Sequence, residues 1–321
     1  MAEAAKEGAN LATYSTSLRV IRKLAEGGMG SVFLAEQLGA AGFSKTVAIK
    51  VIRKEFLNDK ETVTLFFDEA KLVADLVHPH IVQVYNLAEY KGRYFVVMEY
   101  VHGMNARDVM LRHLDQGRTI PTDIAAFIVS RICRGLYYAH RKRDRKGVHL
   151  GLVHRDVTPS NILCDLRGSV KLSDFGIAKA LTMNIPDETK VIMGKLPYMS
   201  PEQAGGLSTD QRCDIYALGL VLYELLAGTP VFMPKSREQL MYLQRKGVPP
   251  IDSVRKNVPP DLAAIVKKAT EFDVEARFAD ANEFGTALET YMYSNRYGPT
   301  NEKLAEYLQQ VFPEIDWDRV E

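Results

Sequence analysis

Hydrophobic and polar positions in the first third of the chain form short alternating runs that are typical of β-strands. The runs are LRVIRKLAE (18–26), SVFLAEQL (31–38), KTVAIKVIR (45–53), IVQVYNLA (81–88) and YFVVMEYV (94–101). Glycine-containing turns separate the first three and Lys91-Gly92 joins the last two, so we expect antiparallel strands. Apolar side chains between them have helical spacing over residues 58–77, at Val63, Phe66, Phe67, Ala70, Val73, Ala74 and Val77. This pattern predicts a small sheet with one helix.

After Gly103 the pattern becomes mainly helical. Pro121-Thr122-Asp123 is typical of a helix start, and an apolar stripe follows it at Ile124, Phe127, Ile128, Ile132 and Leu136. Residues 209–227 are so apolar that they predict a buried helix, which Gly228 and Pro230 would end. We therefore expect a loose tail at 1–17, a small lobe at 18–102, a large lobe at 103–293 and an extension at 294–321, with a hinge at 99–103.

The C-terminal extension contains an amphipathic helix that Thr300 can cap. Its apolar face is formed by Leu304, Tyr307, Leu308, Val311 and Phe312. We expect this helix to pack back on the large lobe. The alternative is that it captures a partner or a second copy of the chain.

Composition excludes several classes of protein. The 321 residues are 46% hydrophobic and 25% charged, which argues against a disordered chain. The 41 Lys and Arg balance 40 Asp and Glu, so no cationic excess indicates a nucleic-acid partner. The longest apolar stretch, 215–223, is shorter than the roughly 20 residues of a membrane span. Without a secretory signal or CxxC pair, we expect a cytoplasmic protein with no membrane segment.

A glycine-rich turn, EGGMGSV (26–32), is followed along the chain by a lysine in an apolar strand. Glycine lets the backbone approach a phosphate closely, because no Cβ obstructs it. Lys50 follows in VAIK (47–50), and its apolar neighbours mean that its ammonium needs a carboxylate partner. Glu69 on the predicted helix is the candidate. The alternative is that Glu69 is an ordinary solvated side chain.

Three later motifs, HRDVTPSN (154–161), DFG (174–176) and SPE (200–202), occur in an order that resembles the protein kinases. The resemblance covers residues 18–293. The segments GLVHRDVTPSN and GKLPYMSPEQ are similar to bacterial eukaryotic-like (Hanks-type) serine/threonine kinases of myxobacterial type. The resemblance implies an α+β, two-lobed protein-kinase fold: a small antiparallel β-sheet lobe with one main helix, a larger mainly helical lobe, and an ATP cleft between them.

The resemblance also implies residue roles. Asp156 accepts or orients the proton of the substrate hydroxyl, and Asn161 and Asp174 bind Mg²⁺, for which Mn²⁺ is an alternative. Lys50, held by Glu69, contacts the α- and β-phosphates. The implied nucleotide contacts are Gly27, Gly28 and Gly30 over the phosphates, Val32, Ala48 and Leu163 around the adenine, Met98 as gatekeeper, and the backbone of Glu99 and Val101 at the adenine edge.

Two further expectations from the resemblance are structural. Asp214 should hydrogen-bond the backbone around His154 and Arg155, and Arg277 should pair with Glu202.

The sequence departs from the family pattern at three positions. Ala25 stands where the first glycine of the turn is usual, which we expect to be tolerated provided that the position avoids positive φ. Thr158 stands where a catalytic-loop lysine is usual, and Lys195 where a threonine is usual. Because these two changes are reciprocal, our hypothesis is that Lys195 supplies the missing cation and Thr158 hydrogen-bonds nearby. The alternative is that Lys195 is a solvated loop residue and the site is weakened.

The expected activity is transfer of the γ-phosphoryl group of ATP to Ser or Thr of protein substrates. The alternatives are a pseudokinase that serves as a nucleotide-binding or scaffolding module, and a small-molecule kinase. Thr189 and then Thr182 are the candidate phosphosites, with Arg155 as the phosphate partner. The alternative is that Asp187 and Glu188 partly mimic the phosphate, so that the enzyme is active unmodified. A homodimer is a candidate arrangement for autophosphorylation in trans. The basic run 141–146 favours a solvated turn over a docking patch for an acidic partner.

Overall fold

The computed structural model describes residues 10–13, 16–27, 30–53, 70–71, 73–144, 146–175, 196–294 and 297–317. These residues form two compact units. The first unit contains the described residues up to Val77 together with 82–101. The second contains 78–81, 102–175 and the described residues from 196 onward. Each unit is described by itself.

The first unit is an antiparallel sheet, which confirms the strands expected from the alternating pattern. Its strands are β1 (Asn10–Thr13), β2 (Thr16–Gly27), β3 (Gly30–Leu38), β4 (Ser44–Ile52), β5 (Val84–Tyr90) and β6 (Arg93–Glu99). Their order across the sheet is β1-β2-β3-β4-β6-β5. At the β5–β6 turn, Lys91 and Gly92 have φ of 50° and 69°. Two positive φ values in a two-residue loop match the right-handed twist of the flanking strands.

Strand β1 differs from the expectation of a loose tail at residues 1–17. Residues 10–13 pair antiparallel with 16–19 of β2. This pairing uses backbone groups, which every residue apart from proline can offer regardless of side chain. Strand β1 therefore forms without an alternating hydrophobic pattern in its sequence.

One face of the sheet carries its core. The buried side chains there are Leu18, Val20, Ala35, Val47, Ile49, Phe95 and Val97. Because side chains alternate along a strand, Ala48 and Lys50 point to the face opposite Val47 and Ile49. The helix expected at 58–77 lies mostly outside the described residues. Helical turns are present at 70–71 and 73–74, and Ala70 and Val73 are buried.

The second unit is mainly helical, as expected. Its helices are α1 (Ala106–Asp115), α2 (Thr122–His140), α3 (Pro201–Ala204), α4 (Arg212–Ala227), α5 (Arg237–Arg245), α6 (Ile251–Val254), α7 (Pro260–Ala269), α8 (Ala281–Tyr293) and α9 (Asn301–Val311). A three-stranded antiparallel sheet joins β7 (Gly103–Asn105), β8 (Ile162–Asp165) and β9 (Val170–Leu172).

Two predicted helices are confirmed at this unit's core. Helix α2 begins after Pro121, and every residue of its predicted apolar stripe is buried. Helix α4 is apolar on nearly all sides, and its side chains are buried from Cys213 to Leu226. It ends at Gly228, whose φ of 79° is the left-handed conformation that glycine adopts without strain.

The C-terminal helix α9 packs on this unit, as expected. The Thr300 hydroxyl accepts a hydrogen bond from Lys303 N, and Leu304 and Leu308 are fully buried. His113 Nδ1 donates to Val109 O at 2.8 Å, so its Nε2 accepts from the Tyr307 hydroxyl. Burial lowers the pKa of His113, which keeps the ring neutral for this role.

Among the described residues, no helix combines the length and apolar character that a membrane span requires.

Candidate active site

Lys50 lies on a sheet face together with three side chains expected around a nucleotide. In the β3–β4–β6 register, Val32 pairs with Lys50, and Ala48 pairs with Met98. Directly opposed residues and residues two apart share a face, so these four side chains are neighbours. Lys50 is only 6% exposed. Its expected partner, Glu69, lies outside the described residues.

Glu99 and Val101 follow Met98 where β6 ends, and both are half-buried. The backbone N–H of Glu99 donates to Gln83 O at 2.8 Å. Any backbone contact of Glu99 with a ligand must therefore come from its carbonyl oxygen.

The glycine-rich turn joins β2 to β3, where Gly27 pairs with Gly30. Gly28 lies outside the described residues. A Cβ on Gly30 would stand 2.1 Å from the carbonyl oxygen of Val51, whereas a Cβ on Gly27 would meet its nearest atom at 3.8 Å. Gly30 is thus required for the close approach of β3 to β4, whether or not a ligand is bound.

Ala25 occupies the usual position of the first glycine of this turn. It pairs with Val32 in the β2–β3 ladder. Among the described residues other than glycine, positive φ occurs only at Ala41, Lys91, Arg155 and Asp174. The expectation that Ala25 avoids positive φ is confirmed.

In the second unit, Asp214 of α4 anchors the segment before Asp156. Its Oδ2 accepts from His154 N at 2.8 Å and its Oδ1 accepts from Arg155 N at 2.7 Å. His140 Nε2 lies 2.8 Å from the same Oδ2. Burial opposes ionisation of Asp214, but the hydrogen bond and charge of His140 outweigh it and hold the pKa below the usual aspartate range. The expected Asp214 contacts are confirmed.

This anchoring holds Arg155 in an unfavourable conformation. Arg155 has a φ of 61°, which is uncommon for a residue with a Cβ and costs about 1–2 kcal/mol. Two charge-assisted hydrogen bonds to the adjacent amides can offset that energy. The loop therefore keeps the shape that presents the next residue, Asp156.

His154 ties Asp156 to the segment before Asp174. Its Nδ1 accepts from Asp156 N at 3.2 Å, so its Nε2 carries the proton and donates to Ser173 O at 2.9 Å. The His154 ring also stands edge-on to Phe175, with centroids 4.5 Å apart. One buried imidazole thereby connects two segments that are distant in sequence.

Asn161 is held between the same two segments. Its Nδ2 donates to Asp156 O at 2.8 Å and to Asp156 Oδ2 at 3.3 Å. Its backbone oxygen accepts from Ser173 N at 2.8 Å. The residue after Ser173 is Asp174, whose φ is 61°. The structure thus brings Asp156, Asn161 and Asp174 together.

The donor set of Asn161 and Asp174 fits Mg²⁺. With Nδ2 turned toward Asp156, the oxygen that the Asn161 amide can offer is Oδ1, and no donor reaches it within the described residues. Asp174 supplies carboxylate oxygens. Mg²⁺ prefers oxygen ligands, and it usually takes one or two protein groups together with waters and substrate phosphates.

Of the remaining predicted site residues, two lie within the described part of the chain and three lie outside it. Thr158 is buried beside a 3₁₀ turn at Pro159–Asn161, where its hydroxyl makes no capping bond. Leu163 lies half-buried on β8, between Asn105 and Lys171 in the sheet. Lys195, Thr182 and Thr189 lie outside the described residues.

The expected pair of Glu202 and Arg277 is confirmed, with two buried contacts of 2.9 Å each. Burial opposes ionisation of Glu202, but Arg277 outweighs it and holds the pKa of this carboxyl below its usual range.

Sequence reasoning missed two residues that support the loop. His140 contacts Asp214, and Ser173 binds both His154 and Asn161. No motif singles them out, because their partners lie far away along the chain.

Comparison with known proteins is consistent with this geometry. Residues 18–287 match the family model described as "Protein kinase domain". The chain is 38% identical over 299 residues to "Tyrosine-protein kinase MasK" of Myxococcus xanthus, which covers 92% of this chain and 46% of that protein. It is 36% identical over 281 residues to "Serine/threonine-protein kinase PrkC" of Bacillus subtilis, covering 87% and 41%. The chain therefore spans less than half the length of both relatives.

A solved structure is also similar. The PknI kinase domain of Mycobacterium tuberculosis has a TM-score of 0.68 and 29% identity, covering 88% of this chain and 97% of that one. This similarity supports the expected fold class, a β-sheet unit and a helical unit.

Proposed function

The chain belongs to the protein kinase family, and from that premise we propose that it transfers the γ-phosphoryl group of ATP to Ser or Thr of protein substrates. The observation that carries the proposal is the arrangement around Asp156. Asn161 holds the carboxylate by Nδ2, and Asp214 fixes the preceding backbone. Phosphoryl transfer depends on positioning and charge stabilisation more than on covalent chemistry, and this arrangement supplies positioning.

In the proposed reaction Asp156 orients the substrate hydroxyl and receives its proton. The hydroxyl oxygen forms a bond to the γ-phosphorus while the bond from that phosphorus to the β–γ bridging oxygen breaks, and ADP leaves. Asn161 Nδ2 keeps one Asp156 oxygen engaged at 3.3 Å, which fixes the carboxylate plane. The proposal therefore needs no covalent enzyme intermediate.

The second requirement of the reaction is that the negative charge of the phosphates is neutralised. Lys50 would hold the α- and β-phosphates, and Asn161 and Asp174 would hold Mg²⁺. When bound, this ion neutralises phosphate charge. Gly27, Gly28 and Gly30 would cover the phosphates. The adenine contacts would be Val32, Ala48, Met98, Glu99, Val101 and Leu163.

Regulation by a phosphate is supported by the surroundings of Arg155. Among the described residues, its guanidinium makes only long contacts with neutral groups, 3.4 Å to Val153 O and 3.5 Å to the Thr209 hydroxyl. Within the described part of the chain it has no carboxylate partner. We propose that a phosphate on Thr189, or on Thr182, pairs with Arg155 and orders the loop. Phosphorylation in trans by a second cytoplasmic copy would add it.

Tyrosine is a second candidate acceptor, because the relative from Myxococcus xanthus carries the name of a tyrosine kinase. Phosphoamino-acid analysis of a labelled protein substrate separates the two. Phosphoserine or phosphothreonine supports the proposal, and phosphotyrosine alone contradicts it.

The test of activity is transfer of label from [γ-³²P]ATP by the full chain. An Asp156→Asn variant should lose at least about a hundredfold in turnover, as expected for loss of a general base. The matched control is Asp252→Asn, an exposed carboxylate on α6. Binding of ATP without transfer by the unsubstituted chain would favour the pseudokinase, and label on a metabolite alone would favour the small-molecule kinase.

A further inference from the structure

The peptide group that joins Arg155 to Asp156 sets the position from which the Asp156 side chain starts. Its N–H, on Asp156, donates to His154 Nδ1 at 3.2 Å. Its carbonyl oxygen, on Arg155, accepts from Gln203 Nε2 at 3.5 Å, and no other donor reaches that oxygen within the described residues. Gln203 lies on α3, 48 residues further along the chain. The proposed reaction gives this side chain no role.

Arg155 needs support on both of its peptide groups, because its φ of 61° is unfavourable for a residue with a Cβ. Asp214 Oδ1 holds the preceding peptide group through Arg155 N. The following peptide group is held by His154 and by Gln203. His154 belongs to the same loop, whereas Gln203 reaches this group from another element. A strained backbone persists only where surrounding contacts fix it, and Gln203 supplies that contact on the carbonyl side.

The capping box at the start of α3 sets the orientation of the Gln203 amide. Gln203 Oε1 accepts from Ser200 N at 2.9 Å, and Gln203 N donates to the Ser200 hydroxyl at 3.4 Å. A backbone N–H can only donate, so the amide atom that faces it is the oxygen. The amide nitrogen therefore faces Arg155 O. A glutamate at this position would complete the capping box equally well, but an ionised carboxylate could not donate to that carbonyl.

Helix α3 is a firm base for this contact. The Glu202 carboxylate on α3 makes two buried contacts of 2.9 Å with Arg277. Arg237 of α5 donates to Gln203 O and to Ala204 O at 2.7 Å each. The helix is thus held at its start, at its middle and at its end. It can therefore keep the Gln203 amide in one place relative to the loop.

We propose that Gln203 is a positioning residue: its amide locks the peptide group between Arg155 and Asp156, and so fixes where the Asp156 carboxylate meets the substrate hydroxyl. This effect on catalysis rests on the proposed function, whereas the hydrogen bond itself does not. Without that bond the peptide group can rotate and relieve the strain at Arg155, which displaces Asp156. A displacement on the order of 1 Å can lower a rate about a hundredfold.

The experiment replaces the amide by a carboxylate of the same shape. Gln203→Glu keeps the acceptor for Ser200 N and removes the donor to Arg155 O. In label transfer from [γ-³²P]ATP by the full chain, we expect kcat to fall about tenfold or more. The KM for ATP should change by less than about twofold, because no residue assigned to ATP is touched. An unchanged kcat in an active chain overturns the proposal.

The matched control is Gln239→Glu on α5. Gln239 has the same position relative to its capping serine: Gln239 N donates to the Ser236 hydroxyl at 3.2 Å, and Gln239 Oε1 accepts from Lys235 N at 2.6 Å. Within the described residues its Nε2 makes no hydrogen bond. This variant adds the same charge at the same helix position, so its kcat should stay within about twofold of the unsubstituted chain. Equal losses in both variants would refute the specific role of Gln203.

Hydrogen–deuterium exchange tests the lock without relying on phosphoryl transfer. In Gln203→Glu, the amides of residues 154–161 should exchange about three- to tenfold faster, as loss of one hydrogen bond predicts. Gln239→Glu should leave their exchange unchanged. Unchanged exchange in Gln203→Glu overturns the lock, whatever the activity. Absence of label transfer by the unsubstituted chain would contradict the proposed function, and faster exchange in Gln203→Glu would still support the lock.

A second pair of variants keeps the test decisive if the first does not fold. Should Gln203→Glu lose its circular dichroism spectrum, Gln203→Met and Gln239→Met take its place. Methionine has nearly the shape of glutamine and no donor to offer Arg155 O. The same differences in kcat and in exchange are expected between the two methionine variants, and equal behaviour of the two would overturn the proposal.

Discussion

Asp214 is the residue on which the hydrogen bonds of the loop before Asp156 converge. It has no exposed surface, and its two oxygens accept from His154 N, Arg155 N and His140. A buried carboxylate is unfavourable unless it is fully hydrogen-bonded, and here each bond also fixes a loop atom. Its loss would leave the amides of two residues unpaired.

Asp214→Asn should lower the free energy of unfolding by about 2–4 kcal/mol, because an amide has one acceptor oxygen where the carboxylate has two. Urea denaturation at pH 7 measures this. Asp210→Asn is the control, since Asp210 is an exposed partner of Arg212 and should change stability by no more than about 1 kcal/mol. Equal losses in the two variants would contradict the anchoring role.

The depressed pKa of Asp214 predicts how stability depends on pH. A group whose folded pKa lies below its unfolded value of about 4 stabilises the fold above that value. This contribution is lost as the pH falls through the folded pKa. The lowered pKa of Glu202 changes the unfolding free energy with pH in the same direction. Burial raises the pKa of Glu224, so its contribution has the opposite sign. The unfolding free energy of the unsubstituted chain should therefore fall more steeply below about pH 4 than that of Asp214→Asn. Parallel curves would contradict this origin.

The reciprocal pair of Thr158 and Lys195 remains a hypothesis with a direct test. Lys195→Thr should lower turnover by about ten- to a hundredfold, because it removes the proposed cation at the γ-phosphate. Adding Thr158→Lys should restore part of it. Steady-state kinetics of the single and double variants measure both effects. Full activity of Lys195→Thr would reject the exchange.

At the scale of elements, the turn between β2 and β3 needs glycine at position 30 for a structural reason, in addition to the turn's proposed role at the phosphates. The carbonyl of Val51 stands where a side chain at position 30 would begin. Backbone atoms of a paired strand cannot move aside without breaking the ladder.

Gly30→Ala should therefore destabilise the chain by about 2–4 kcal/mol, through separation of β3 from β4. Gly27→Ala is the matched control for stability, since its new methyl group meets nothing closer than 3.8 Å. That change should stay within about 1 kcal/mol. Thermal unfolding followed by circular dichroism compares the two, and equal melting temperatures would contradict the close approach.

At the scale of the whole molecule, α9 is packed on the helical unit at several points. A Cβ on Gly168, in the β8–β9 turn, would stand 1.8 Å from Asn301 O, which shows how closely the helix start approaches that turn. Lys303 pairs with Asp123 at 2.6 Å at the start of α2, and Arg112 of α1 pairs with Glu314. These exposed pairs add little, so the buried leucines carry the attachment.

Leu308→Ala should lower the unfolding free energy by about 2–5 kcal/mol, the range for a buried leucine whose site cannot collapse. The control on the exposed face of the same helix is Glu306→Ala, which should change it by less than about 0.5 kcal/mol. Urea denaturation measures both. If Leu308→Ala matched the control, α9 would not be part of the folded unit.

The sequence by itself determined the elements whose signal is local. Alternation predicted β2 to β6, helical spacing and caps predicted α2, α4 and α9, and the ordered motifs identified the candidate residues. Each signal spans a few positions, within the range over which side-chain periodicity and backbone preferences act. Only the tertiary structure decided the contacts between pairs of residues that are far apart in sequence. Examples are His140 on Asp214, Ser173 on Asn161, and the carbonyl that requires Gly30. Such contacts depend on which segments the fold brings together, and periodicity along one segment carries no information about the other.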